Sequence, residues 1–349
     1  MAATHVYAGA ARSMGGTLGG VFRQAAGEDG WQHLTGGLPE GAEVHAITVH
    51  PEHPDTVYIG TTKGSYRSID RGARWERLAL PDAEADIWSI CIHPKNPRIV
   101  YAGATPPGVY RSEDGGDSWR KMADPGLPDR VIMQFACRVM RLDVDPNSPD
   151  DVYATLEANG AMRSRNGGES WEDCTADLIR FCEQPKYRSR IGSQTEIEGM
   201  LDGHALACSA AAPGTVFLAN RMGLFRSNDK GQSWQDMEIG RFSPLTYGRD
   251  IRVSRQDPKV MYACLSPAAR STDGAIYRSD DVGQSWKRFD HGIKAEATMM
   301  GVAVHPQDPN QIYGVSRFGQ VFGTQDGGKS WHEHRLPEGV RDVYAVACG

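Results

Sequence analysis

The chain has few of the features that mark membrane, secreted or nucleic-acid-binding proteins. Its 349 residues contain no apolar stretch that approaches the length of a membrane span. The first residues, Met1 to Tyr7, lack the basic region and apolar run of a secretory signal. A net charge of −6 and a pI near 6.0 argue against non-specific nucleic-acid binding as the main task. We therefore expect a cytoplasmic protein with no membrane or nucleic-acid partner.

Cysteine and metal-ligand patterns are also weak. The seven cysteines are odd in number and form no C-x-x-C pair, which favours reduced, mostly buried thiols over a disulfide framework. Three histidines precede proline in a recurring turn: His50, His93 and His305. Each belongs to a different repeat, and a polar residue before proline needs only a local backbone hydrogen bond. We interpret these histidines as turn residues rather than metal ligands.

The prominent feature is a repeat with the pattern Ser-x-Asp-x-Gly-x-x-Trp. Six good copies, with Thr first in one and Asn third in another, cover Ser68–Trp75, Ser112–Trp119, Ser164–Trp171, Ser227–Trp234, Ser279–Trp286 and Thr324–Trp331. A seventh, worn copy ends at Trp31. The tryptophans are roughly 44 to 63 residues apart, the spacing of propeller blades. Hydroxyl and carboxylate oxygens can accept backbone N–H bonds and Gly allows positive φ, so each copy predicts a tight turn between two strands.

This pattern resembles the Asp-box, or bacterial neuraminidase repeat, and the chain is similar to that β-propeller superfamily over nearly its whole length. Relatives with such boxes include sialidases, xyloglucan hydrolases, sortilin-type receptors and a photosystem assembly factor. The box lies away from their active sites, so the resemblance implies a fold and not a chemistry. We expect residues 1–349 to form one all-β domain, a seven-bladed β-propeller of four-stranded antiparallel blades.

The two ends of the chain predict how the ring closes. Residues Asp342–Cys348 look like an inner strand with no blade after it, whereas His5–Gly9 and Gly20–Arg23 look like second and third strands with no inner strand before them. Together they would make one blade and remove an open edge. An insertion at residues 172–203 has helix-like apolar spacing and is expected to act as a lid over the channel mouth; the alternative is a packing insertion.

Propeller ligands usually bind at the mouth of the central channel, where the inner strands begin. Aligning the repeats on the turn proline brings one position of every blade together there: His45, Trp88, Met140, His204, Arg249, Met300 and Tyr344. The position two residues earlier reads Glu43, Asp86, Arg138, Asp202, Tyr247, Thr298 and Asp342. Loops between second and third strands add Arg12, Lys63, Glu157, Asn159, Arg221, Arg270 and Arg317. Ionisable groups are unusually dense for positions that begin core strands.

Five of the seven loop residues are basic in a chain of net negative charge. We therefore expect a small anionic ligand at the mouth, since arginine binds carboxylates and phosphates through paired hydrogen bonds. The candidate binding residues are Arg12, Arg138, Arg221, Arg249, Arg270, Arg317, Trp88 and Tyr344. The alternative is a water-filled channel whose polar groups merely pair with one another.

If the site is catalytic, His45 or His204 is the general base or acid, and Asp202 or Glu43 orients it. Tyr247 or Tyr344 offers a second proton carrier. A divalent metal held by the two histidines and nearby carboxylates is a further alternative, but no spacing motif supports it and we assign no metal ligand or cofactor.

The resemblance to sialidases implies three arginines on a substrate carboxylate, a Tyr paired with a Glu as nucleophile, and an Asp acid. Arg138, Arg249 and Arg317 match such a trio, with Tyr247 as the Tyr candidate. Sialidases are six-bladed, however, and the early Arg-Ile-Pro type segment is absent. The resemblance therefore supports the fold more than a glycosyl hydrolase activity.

Two hypotheses remain from the sequence. In the first, the propeller binds a small anionic molecule at the channel mouth and acts on it as a hydrolase or lyase. In the second, it is a non-enzymatic protein-binding or assembly scaffold, similar to the photosystem-associated relative, that docks through the basic residues Arg12, Arg221, Arg270 and Arg317. A narrow cavity would favour the first hypothesis, and a flat, open face would favour the second.

Overall fold

The computed structural model describes residues 4–13 and 15–349. Residues 1–3, which begin the segment compared above with secretory signals, lie outside the described residues. Within the described part, the strands form seven four-stranded antiparallel sheets. The inner strands of successive sheets contact one another in a closed ring. The predicted all-β, seven-bladed β-propeller is therefore confirmed.

In chain order the strands are β1 (His5–Ala10), β2 (Gly20–Ala25), β3 (Gln32–Leu34), β4 (Val44–Val49), β5 (Val57–Thr61), β6 (Gly64–Ser68), β7 (Glu76–Arg77), β8 (Asp86–Ile92), β9 (Val100–Thr105), β10 (Gly108–Ser112), β11 (Arg120–Lys121), β12 (Val139–Val144), β13 (Val152–Leu156), β14 (Gly160–Ser164), β15 (Glu172–Asp173), β16 (Gly203–Cys208), β17 (Val216–Asn220), β18 (Gly223–Ser227), β19 (Gln235–Asp236), β20 (Tyr247–Val253), β21 (Met261–Ser266), β22 (Ala275–Ser279), β23 (Lys287–Arg288), β24 (Met299–Val304), β25 (Ile312–Ser316), β26 (Gln320–Thr324), β27 (His332–Arg335) and β28 (Val343–Cys348). Blades 1 to 6 each take four consecutive strands, from β4–β7 to β24–β27, and blade 7 has the order β28-β1-β2-β3.

Each repeat copy forms the turn between the third and fourth strands of a blade. In blade 2, the Ser112 hydroxyl donates to the Asp114 carboxylate at 2.8 Å and accepts the Gly116 N–H at 2.8 Å. Asp114 also accepts the Ser118 N–H at 2.9 Å. The indole N–H of Trp119 donates to the Gly116 carbonyl oxygen at 2.9 Å, which ties the turn to the following strand. The repeat thus satisfies its own backbone groups locally.

The proline turns at the opposite end of the inner strands behave as the turn interpretation predicts. The Nδ1 atom of His93 accepts the N–H groups of Lys95 and Asn96 at 3.1 and 3.0 Å. His50 and His305 accept the equivalent pairs in their own turns. Among the described residues, no three His, Cys, Asp or Glu side chains are grouped so that they could hold a metal ion.

Blade 7 closes the ring by joining the two ends of the chain. Strand β28 pairs antiparallel with β1, with Val6 opposite Cys348 and Gly9 opposite Ala345. Strand β1 in turn pairs with β2, and β2 with β3. The predicted closure is confirmed, and the inner and second strands of this blade come from opposite termini.

The insertion 172–203 contains α1 (Ala176–Phe181), a 3₁₀ turn at Pro185–Tyr187 and α2 (Glu198–Leu201). Its apolar side chains pack against blades 3 and 4, for example Leu178 with Phe225 and Trp234 in one core cluster. The helix-like spacing of the insertion thus corresponds to two short helices of 6 and 4 residues. Closure of this insertion over the mouth stays a prediction. In the described part of the chain, no helix is long and apolar enough to cross a membrane.

Candidate functional site

A β-bulge places one side chain of every inner strand at the channel mouth. In each of the seven inner strands the pairing register shifts by one residue near the start of the strand, and the extra residue is left unpaired. Bulges re-aim the side chain of the extra residue. The seven bulged residues, here called the mouth ring, are His45, Trp88, Met140, His204, Arg249, Met300 and Tyr344. All seven line one cavity, and they are the positions that the repeat alignment groups.

The aromatic part of the mouth ring is tightly stacked. The rings of His45 and Trp88 lie face to face with centroids 3.7 Å apart, and Tyr344 meets both edge-on at 5.3 Å. The guanidinium of Arg138 covers the Trp88 ring at 4.1 Å. His45 Nδ1 also lies 3.0 Å from the carboxylate of Asp86. Trp88 is therefore enclosed on both faces and at its edge. Its buried indole N–H has no hydrogen-bond partner among the described residues.

A second network surrounds His204. Its Nδ1 atom lies 2.7 Å from the carbonyl oxygen of Gly248, so Nδ1 carries the proton and donates to that oxygen. The Nε2 atom lies 3.2 Å from both the Tyr247 hydroxyl and the Asp202 carboxylate. Burial lowers the pKa of His204, so the neutral imidazole accepts the Tyr247 hydroxyl hydrogen at Nε2. This geometry suits a proton-transfer group.

Most of the arginines predicted to bind a ligand at the mouth are paired with carboxylates. Arg221 lies 3.1 Å from Asp202, Arg138 lies 2.9 Å from Glu157, and Arg317 pairs with Asp342. Arg12 is also paired, at 3.8 Å from Glu43. Arg270 is exposed on its loop. Arginines and carboxylates around the mouth therefore largely neutralise each other, and the mouth carries less free positive charge than its composition indicates.

Arg249 is the exception in the mouth ring. No hydrogen bond or ion pair joins its guanidinium to another group within residues 4–13 and 15–349. It is only partly exposed, and it interacts over longer distances with Tyr247, Tyr344, Asp202 and Glu157. A half-buried guanidinium without a carboxylate partner is costly unless an anion or water satisfies its five donors. It is the strongest anion-binding group that the structure places at the mouth.

Two carboxyl groups at the mouth have opposite acidities. Burial raises the pKa of Glu157 to about 7, although Arg138 opposes this shift. Burial also acts on Asp202, but there His204 in its protonated form, together with Arg221 and Arg249, favours the ionised carboxylate and holds its pKa at about 2. At neutral pH Asp202 is ionised while Glu157 is partly protonated. Such a difference in acidity is characteristic of acid–base sites. The sequence placed Glu157 among the loop residues at the mouth but did not predict it as an acid.

Sequence reasoning missed a charged floor beneath the mouth ring, made of Arg141, Asp143, Asp250 and Arg252. The Asp250 carboxylate accepts from Arg141 at 3.0 Å, from Arg252 at 3.1 Å and from the backbone N–H of Val302 at 3.1 Å. Burial raises the pKa of Asp143 to about 6. The available signal was the contrast with the equivalent positions of the other inner strands, which are all small and uncharged: Ala46, Thr48, Ser89, Cys91, Ala205, Ala207, Gly301, Ala303, Ala345 and Ala347.

The space between the mouth ring and this floor is small. Its volume is about 40 Å³, room for a few water molecules or for one carboxylate-sized group. A larger ligand would therefore leave most of its atoms above the ring. There the loop before β12 exposes Ile132 and Phe135, and the turn between β25 and β26 exposes Phe318.

Comparisons with known proteins agree with this architecture. A family model described as "Sortilin-Vps10: Sortilin, neurotensin receptor 3" matches residues 63–197 and 274–346, together more than half of the chain. The oligoxyloglucan-reducing end-specific xyloglucanase of Emericella nidulans is 23% identical over 323 residues, which cover 77% of this chain and 37% of that enzyme. A xyloglucanase from a Paenibacillus species is 30% identical over 192 residues, 51% of this chain and 16% of that enzyme. The chain thus spans less than half the length of these relatives.

Solved structures show the same fold. The GH74 xyloglucanase from Xanthomonas campestris superposes with a TM-score of 0.64 at 18% identity, covering 88% of this chain and 47% of that one. A structure of YCF48 bound to D1 peptide gives a TM-score of 0.53 at 15% identity, covering 84% and 81% of the two chains. Likeness at these identities extends to the fold alone.

Proposed function

We propose that this chain, which belongs to the Sortilin-Vps10 family of β-propellers, binds a small anionic molecule at its channel mouth and that Arg249 is the main anion-binding residue. The observation that carries this proposal is the half-buried guanidinium of Arg249, which is unpaired among the described residues, whereas Arg138, Arg221 and Arg317 around the mouth ring are each paired with a carboxylate. The cavity beneath it admits one carboxylate-sized group. Tyr344 lines that cavity together with Arg249, and Tyr247 interacts electrostatically with Arg249.

We further propose that the ligand is hydrolysed at the mouth. Glu157 supplies a proton to the leaving oxygen, and the ionised Asp202, with His204 beside it at 3.2 Å, activates the attacking water or attacks directly. Support comes from the opposite acidities of these two carboxyl groups. The relatives named xyloglucanases make a glycoside the first bond class to test. A cytoplasmic location, without a membrane or nucleic-acid partner, belongs to this proposal.

Isothermal titration calorimetry tests the binding step. The full chain is titrated with glucuronate, N-acetylneuraminate, acetate and phosphate, and the measurement is repeated on Arg249→Met. Charge-assisted hydrogen bonds contribute about 1.5–3 kcal/mol, so we expect the affinity to fall at least about tenfold. The matched control is Arg98→Met, because Arg98 is exposed on the opposite face and its side chain has no partner among the described residues.

Two outcomes would contradict the proposal. One is the absence of binding of every anion at millimolar concentration. The other is equal affinity of the wild type and Arg249→Met. The hydrolytic step is tested separately with aryl glycosides: Glu157→Gln should keep anion binding and lose turnover, and wild-type protein that binds but never cleaves would refute only this second step.

A docking function is the second candidate. Ile132, Phe135 and Phe318 are exposed on loops beside the mouth, and large apolar side chains exposed near one face often mark a protein contact. The fold relative YCF48 has been solved with a bound D1 peptide. Pull-down with the wild type and with Phe135→Ser plus Phe318→Ser separates this candidate from the first, since these changes leave Arg249 untouched.

A further inference from the structure

The inner strands and the turns that follow them line another cavity, at the opposite end of the channel from the mouth ring. This lower cavity has a volume of about 430 Å³, within the size range of small-molecule sites. The charged residues that line it are Arg141, Asp143, Arg252 and Arg255. Arg141 and Arg252 line the mouth cavity as well, so the charged floor separates the two spaces.

Arg255 occupies a turn position that is uncharged in the other blades. The second residue of the turn after the inner strand is proline in blades 1, 2, 3 and 6 and alanine in blade 4, whereas blade 5 has Arg255. The turn itself does not require the guanidinium. The Ser254 N–H donates to the Val260 carbonyl oxygen at 2.9 Å, and blades 1, 2, 3 and 6 form the equivalent bond without an arginine.

The guanidinium of Arg255 is unpaired and faces the channel. Within the part of the chain that the structure describes, it forms no hydrogen bond or ion pair. Burial raises the pKa of the Cys91 thiol in blade 2, and the charges of Arg255, Arg141 and Arg252 oppose that shift. Burial lowers the pKa of His50 in blade 1, and Arg255 adds to that effect. The charge of Arg255 therefore acts across the opening of the cavity, on blades 1 and 2.

Arg252 supplies a second guanidinium whose donors are only partly used. Its Nε atom donates to Asp250 at 3.1 Å, and its side chain is 36% exposed. Its remaining N–H groups have no partner among the described residues. Asp143 lies in the same cavity but does not pair with Arg252, because its oxygens accept the backbone N–H groups of Val144 at 2.9 Å and Cys208 at 2.8 Å. Asp143 thus joins blade 3 to blade 4.

Blade 4 lies between the charged blades 3 and 5 and leaves space in front of them. Its inner strand has Ala207 at the position equivalent to Asp143 and Arg252. Its turn has Ala210 at the position equivalent to Arg255. Both alanines line the lower cavity. The two guanidinium groups of blade 5 therefore border open space on the side of blade 4.

We propose that the lower cavity binds a small phosphorylated molecule, whose phosphoryl group lies between Arg252 and Arg255. A phosphoryl group has three terminal oxygens and can accept hydrogen bonds from two guanidinium groups at once. The cavity is larger than a phosphate ion and has room for an attached organic group. Arg141, Arg252 and Arg255 outnumber the nearby carboxylates, Asp143 and Asp250, which favours an anion. This site is separate from the mouth ring and from any chemistry there.

Calorimetry with glucose 6-phosphate at low salt tests the proposal on the full chain. The titration uses the Arg249→Met variant, so that anion binding at the mouth does not contribute. Adding Arg255→Met should weaken binding at least about tenfold, by loss of charge-assisted hydrogen bonds. Arg255 is exposed, so this change should leave the melting temperature unaltered. Adding Arg98→Met instead removes an exposed arginine from another turn of the same face and should leave the affinity unchanged.

Ala210→Glu gives an independent readout that keeps every arginine. It places a carboxylate at the edge of the cavity and should abolish binding of glucose 6-phosphate by charge repulsion. Ala211→Glu adds the same charge to an exposed neighbour in that turn, outside the cavity lining, and should reduce the affinity far less. Four results would overturn the proposal: no binding at millimolar concentration, unchanged affinity after Arg255→Met, unchanged affinity after Ala210→Glu, or equal binding of uncharged glucose.

Discussion

Replacing Glu157 with Gln should stabilise the protein at alkaline pH and not at acidic pH. Burial raises the pKa of this carboxyl from 4.5 to about 7. Each pKa unit corresponds to about 1.4 kcal/mol, so ionised Glu157 costs the folded state about 3 kcal/mol above pH 7. Below pH 4.5 the group is protonated in both states and the cost disappears. Between these limits the folded state binds more protons than the unfolded state, so wild-type stability falls as pH rises.

Urea denaturation at pH 4.5 and pH 8.5 measures this difference. We expect Glu157→Gln to exceed the wild type by up to about 3 kcal/mol at pH 8.5 and to match it at pH 4.5. Loss of the 2.9 Å pair with Arg138 works against the gain, but that guanidinium still covers Trp88. The exposed Glu183→Gln provides the control and should follow the wild type at both pH values. A variant less stable than the wild type at pH 8.5 would refute the assigned acidity.

Two further predictions concern the blades themselves. Ser112→Ala removes the hydroxyl that a buried backbone N–H donates to, and should lower the free energy of unfolding by about 2 kcal/mol; urea denaturation should show a smaller loss for the exposed Ser118→Ala. Gly103→Ala adds a Cβ that would lie 2.4–2.5 Å from side chains of β8 and β12, and should cost about 1–3 kcal/mol. Gly108→Ala in the same blade has its nearest contacts at 3.7 Å and should be tolerated far better. Equal melting temperatures within either pair would contradict the packing argument.

The two functional hypotheses depend on different residues at the mouth. Ion pairing removes Arg221 and Arg317 from a free basic face, because Arg221 is bound to a carboxylate of its own blade and Arg317 to a carboxylate of the next blade. Arg249 remains unpaired inside the ring, and Arg270 remains exposed outside it. A small anion therefore finds one well-defined partner at the centre, whereas a protein partner would depend on the exposed apolar side chains of the surrounding loops.

The sequence alone determined the architecture and the composition of the mouth ring. Box spacing predicted the number of blades, and the proline turns aligned His45, Trp88, His204 and Arg249 correctly. This works because every blade repeats one local geometry, so a position in one repeat has the same place in all others. The bulge that re-aims each ring side chain follows the same periodicity.

Only the tertiary structure decided what those side chains do. The pairing of Arg141 with Asp250 joins residues 109 positions apart across the channel, and no repeat pattern specifies it. The acidity of Glu157 depends on burial by several blades together. Charge, burial and fit between blades are properties of the closed ring, and they arise only when all seven repeats are in contact.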